Sequence, residues 1–147
     1  MKKLIEKDFV TKKIAPLALC AATLLSIGGV NTYAAGNYYD TGFSFTFENM
    51  QARTSTRSKL DSTSSYMYCQ TMPSGRSYTA HVVALSSKNS KKYIDVSRGH
   101  TYKFVKGRRH KMVNFVRESG FSYAAIAANP DYANKFSATG VWSPDSI

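Results

Sequence analysis

Nine cationic side chains crowd one stretch of this 147-residue chain: Lys88, Lys91, Lys92, Arg98, Lys103, Lys106, Arg108, Arg109 and Lys111. Asp95 is the only acid among them, and Tyr93, His100, Tyr102 and Phe104 are interleaved. Clustered positive charge attracts phosphates and other anions, and neighbouring aromatic rings can stack on sugars or bases. The candidate anion contacts are therefore Lys91, Lys92, Lys103, Lys106, Arg108, Arg109 and Lys111, densest in the run KGRRHK. Tyr93, Tyr102 and Trp142 are the candidate aromatic contacts, although a sole tryptophan more often fills a core. The competing reading is a solvated strand edge, because exposed lysines also block edge-to-edge pairing.

Other chemistries find less support. His81, His100 and His110 are spread too widely for a metal motif, and no H-x-x-x-H, C-x-x-C or acidic calcium loop occurs. No metal or cofactor is expected. A secreted ribonuclease needs a general base and acid, with a cation to stabilise charge at phosphorus. Glu48, Glu118, His81, His100, Arg108 and Arg109 supply those residue types, but their spacing does not make them converge. No G-x-S-x-G marks a serine hydrolase. The expectation is a non-enzymatic protein, with a ribonuclease-like enzyme acting on a polyanion as the alternative.

The opening residues say where this charge would be used. Lys2, Lys3, Lys7, Lys12 and Lys13 precede an apolar run from Ile14 to Val30, and small residues follow at Thr32 and Ala34. That order describes a secretory signal helix, cut after Ala34 or alternatively after Gly36. The run is short for a membrane span and is broken by Pro16, Gly28 and Gly29, so no stable insertion is expected after cleavage. Leu19 sits before Cys20 where a lipid-attachment site wants a small residue, which argues against a lipoprotein. The division is thus a signal peptide over residues 1–34 and a secreted domain over residues 35–147.

The leader holds five of the twenty basic and two of the nine acidic side chains. The exported part keeps fifteen and seven, a formal charge of +8. Its partner would be an anionic cell-wall polymer or lipid head groups, with nucleic acid less favoured. Cys69 is the lone cysteine after cleavage, so no intramolecular disulfide can form and a buried, inert thiol is expected.

Period-two alternation dominates the exported part and predicts an all-β fold. Phe43, Phe45 and Phe47 share one face of GFSFTFE. SYMYCQTM and SYTAHVVALS are further strands, separated by the turn PSGR. KYIDVS and HTYKFVK follow, then FSYAAIAA and NKFSATGVW on either side of Asn129-Pro130-Asp131. HKMVNFVRESG fits helical spacing about as well as extended spacing and AAIAAN holds good helix formers; both are read as strands, with Gly120 in a turn. The Ser- and Thr-rich QARTSTRSKLDSTSS reads as a loop or polar edge, and replacing Arg53, Arg57 and Lys59, outside the basic stretch, is expected to affect anion attachment much less. Ser143-Pro144-Asp145 is expected to turn the chain outward. Seven or eight short strands with regular turns predict an antiparallel sandwich.

Three segments carry a family resemblance: DTGFSFTF, NFVRESGFSYA and SATGVWSPDSI. They resemble small secreted proteins of Gram-positive bacteria that share a signal peptide, a strand-rich body, an E-S-G-Y/F segment and a terminal G-x-W-S-P-D-S. The resemblance runs from Asp40 to Ser146. It implies export and a β fold, and leaves activity open. A more distant, compositional likeness is to bacteriocins of the lactococcin 972 type. The resulting expectation is a secreted cationic protein that associates with the anionic cell envelope, bacteriocin-like in character. A structural extracellular protein whose charge serves solubility is a third reading.

Overall fold

The computed structural model describes residues 36–147. The expected signal peptide, and the cut after Ala34, lie outside the described residues. The domain is all-β, as the alternation predicts, and its strands form two antiparallel sheets.

The four-stranded sheet is ordered β1 (Thr41–Phe47), β10 (Phe136–Ser143), β4 (Ser65–Thr71) and β8 (Arg109–Met112). The second sheet is built on β9 (Tyr123–Pro130) and β5 (Tyr78–Leu85). The short β2 (Ala52–Arg53) and β3 (Arg57–Ser58) both pair with β9. On the other side, β6 (Ile94–Asp95) and β7 (Tyr102–Phe104) both pair with β5. The described residues thus hold ten strands, not seven or eight. The extra ones come from QARTSTRSKLD, whose two-residue strands carry too little alternation to be seen.

The sheets share one core. Phe43, Phe45 and Phe47 from β1 meet Tyr78, Phe104 and Phe136, with Trp142 also fully enclosed. Phe47 and Phe136 rings lie 4.7 Å apart, and Tyr78 stacks on Phe104 at 5.1 Å. Contacts of this kind add to the area term that dominates folding. Cys69 is buried here as expected, its thiol pushed up by that burial, and so is a poor nucleophile. At Gly140, beside a register shift in the β10–β4 pair, an added Cβ would lie 2.0 Å from the Tyr68 carbonyl oxygen. Only glycine fits.

The second sheet is buried on both faces. Val83, Leu85, Ala125 and Ala127 form an outer cluster, against which Tyr93 and Tyr123 pack. This explains the unbroken run of small residues in β9, which alternation alone does not require.

Two segments depart from the sequence reading. HKMVNFVRESG is a strand only as far as Met112. Beyond it Ser119 N–H donates to Phe115 O at 2.9 Å and Gly120 takes φ 81°, one closed turn that accounts for the helical spacing. β9 continues through Pro130, whose missing N–H is tolerated at a strand end, so the turn expected at 129–131 begins later.

Candidate anion-binding surface

Strand register decides which cations meet. Tyr78 pairs with Phe104 at one end of β5, and Ala84 pairs with Ile94 near the other. Six residues of strand separate those pairs, about 20 Å at ~3.4 Å per residue. The basic stretch is therefore split. Lys88, Lys91 and Lys92 sit exposed in the loop before β6, while Lys103, Lys106, Arg108 and Arg109 gather around the connection from β7 to β8. That connection passes from one sheet to the other, turning at Gly107 with φ 82°.

Three shallow clefts surround it, of about 530, 370 and 380 Å³, and Val105 lines all three. The largest lies between the β7–β8 connection and the Pro73–Ser77 turn, bringing Arg76 and Tyr132 beside Lys103 and Lys106. No Asp or Glu lines any of them. Asp131 pairs with Lys103 at 3.5 Å but is tied by the Ser77 and Thr79 hydroxyls, at 2.5 and 3.0 Å. Arg76 lies over the Tyr132 ring at 5.3 Å, and Arg109 over Tyr68 at 4.8 Å. Arg76 and Tyr132 escaped the sequence reading; the PSGR turn was the only available signal, and it speaks of chain reversal, not charge.

The other candidates stand elsewhere. Lys111, two residues along β8, hydrogen-bonds the Ile147 carbonyl. Tyr93 packs over the outer cluster of the second sheet with Arg53 stacked on it at 4.5 Å. The Tyr102 hydroxyl accepts from Val113 N–H at 2.8 Å, which makes it a brace between β7 and the segment after β8. Trp142 is fully buried, because β10 alternation turns it inward with Phe136 and Ala138. It is a core side chain.

Three of the residues proposed for a ribonuclease have neighbours of their own. Glu48 pairs with Lys135, and His81 faces Asp95 at 4.0 Å. His100 packs near Phe115, with ring centroids 6.3 Å apart. Among the described residues, no group of His, Cys, Asp or Glu is arranged to hold a metal ion.

A second polar assembly, unforeseen in the sequence, lies where the domain's first and last residues meet. Lys59 and Asp145 are both wholly buried, with Nζ 2.6 Å from Oδ1. Lys59 Nζ also donates to Thr63 O at 2.6 Å. Asp145 Oδ2 accepts the backbone N–H of Asn37 at 2.6 Å and of Leu60 at 3.0 Å. Arg57 reaches Trp142 O at 3.0 Å and Asn37 Oδ1 at 2.7 Å. The reading of this stretch as a loop or polar edge outside the core is thus corrected at Arg57 and Lys59, since both tie neighbouring segments together. Asp145 likewise does not turn outward.

Asp61 completes the assembly. Burial pushes its carboxyl up, but hydrogen bonds from the Thr63 hydroxyl and N–H and from the Tyr38 hydroxyl outweigh that and hold it at about 2. A carboxyl depressed in the folded state stabilises above its unfolded pKa of ~3.9, and that contribution is lost as pH falls through the folded value. Stability should therefore decline between about pH 4 and pH 2. In Asp61→Asn part of that decline should disappear, as acid titration followed by tyrosine fluorescence would show; an unchanged profile would assign it to other carboxyls.

A two-sheet β domain with a cation-ringed edge and an internally clamped terminus is the class defined by this geometry. The chain belongs to a family of proteins of unknown function, DUF2712, whose profile matches residues 30–146. No curated protein and no solved structure matches it.

Proposed function

We propose that the protein is exported and acts without catalysis outside the cell, attaching through its basic edge to an anionic polymer or lipid surface of the cell envelope. Attachment to a competitor's envelope would be the bacteriocin-like form of this activity. One observation carries the reading: Arg76, Lys103, Lys106, Arg108 and Arg109 line three adjoining clefts that no acid lines. Clefts walled by one sign of charge concentrate counter-ions of the other.

Binding to isolated Gram-positive walls or anionic vesicles should fall steeply as salt rises, because the screening length is only ~8 Å at physiological ionic strength. Salt-independent attachment would overturn the electrostatic reading, and cleavage of RNA by the pure protein would bring the enzymatic alternative forward. Export is tested separately. The protein in culture supernatant should begin at or within two residues of Ala35, whereas a full-length chain held in the membrane would contradict it.

A further inference from the structure

The buried meeting of Lys59, Asp61 and Asp145 has the makings of a covalent bond. Amine and carboxyl stand at 2.6 Å with no exposure on either side chain. Held groups of this kind react as if at very high concentration, and burial removes the water that would otherwise stabilise the ions and compete. Asp145 Oδ2 receives two backbone N–H groups, from Asn37 and Leu60, where negative charge would develop if its carbonyl carbon were attacked. The third member is a second carboxyl. Asp61 Oδ1 lies 3.7 Å from Lys59 Nζ. A second carboxylate beside the amine gives a proton leaving Nζ somewhere to go.

We propose that Lys59 and Asp145 are joined by an intramolecular isopeptide bond, with Asp61 as the proton relay. The Lys59 ammonium gives one proton to the carboxyl pair, and the neutral Nζ attacks Cγ of Asp145. The Nζ–Cγ bond forms, the Cγ–Oδ1 bond breaks, and the departing oxygen leaves as water with two protons that began on Nζ. One hydrogen stays on the amide nitrogen. Ammonium plus carboxylate thus become amide plus water, with no oxidant, metal or co-reactant. The bond would join the segment after β3 to the segment after β10, the last strand, and so close the domain covalently where its lone cysteine cannot.

Mass spectrometry of the full chain as expressed tests this directly. The protein should be lighter by one water than the sequence from its observed N-terminus requires. Trypsin should leave Lys59 uncut and release residues 58–76 joined to residues 136–147, because the acylated amine is no longer a cleavage signal. Separate linear peptides 60–76 and 136–147, with full mass, would overturn the proposal. Asp145→Ala should yield only linear peptides. Asp61→Asn should leave most of the protein unlinked while still folded, since the Asn carbonyl can keep the Thr63 hydrogen bonds; linkage as complete as in the native chain would remove Asp61 from the reaction.

Discussion

Asp145→Ala is expected to destabilise the domain by about 3–5 kcal/mol, the cost of stranding a buried charge without its partner. Small domains have ~5–15 kcal/mol in total, so this one substitution consumes a large share of it. The reason is local. Lys59 has no exposed surface, and without Asp145 it keeps only the Thr63 carbonyl at 2.6 Å and the more distant Asp61. Asn37 and Leu60 lose the acceptor for their backbone N–H groups at the same time. Urea unfolding of the native and variant proteins would read the loss as a lower midpoint at unchanged slope. A double variant, Lys59→Met with Asp145→Leu, should lose much less, because a buried ion pair replaced by apolar groups of similar size is often near neutral. It would also lack the proposed covalent link, so a large residual loss in it measures that link. A single-variant loss below about 1 kcal/mol would mean that Lys59 finds water, contrary to its complete burial.

What the sequence made legible follows from the range of the interactions involved. Strands β1, β4, β5 and β10 are announced by side chains alternating over seven or eight consecutive residues, and their bounds fall close to expectation. The positive φ of Gly120 is likewise a local property. The clamp was not legible, because Lys59 and Asp145 are separated by 86 residues and each sits in a polar segment. Ser- and Thr-rich QARTSTRSKLDSTSS looks solvated until its partners are known; folded, its Ser65 hydroxyl donates to Pro144 O and its Lys59 is sealed by Asp145. Charge clustering failed in the opposite direction. Nine cations adjacent in sequence are divided by β5, which pairs with β6 near one end and β7 at the other. Arg76, outside the stretch, joins the group because the β4–β5 turn lies across the cleft from Lys106.

That division makes the basic edge separable from net charge. Replacing Arg76, Lys106, Arg108 and Arg109 together with Ser should weaken attachment to anionic vesicles on the order of a thousandfold at low salt, taking about 1 kcal/mol for each basic side chain near such a surface. All four line the clefts at the β7–β8 connection, and Lys106, Arg108 and Arg109 are exposed. None has an acidic partner among the salt bridges of the described residues. Exposed charges of this kind add little to stability, so the variant should unfold within about 1 kcal/mol of the native protein. Lys88, Lys91 and Lys92 are the matched control, equally exposed but near the other end of β5, and their replacement with Ser should cost far less than proportionately. Arg57 and Lys59 cannot serve as controls, since changing them attacks the clamp and the fold with it. Vesicle co-sedimentation at several salt concentrations distinguishes the outcomes. Losses in proportion to the number of charges removed, irrespective of position, would mean that the formal charge of +8 over residues 35–147 acts diffusely and that no basic edge exists as a site.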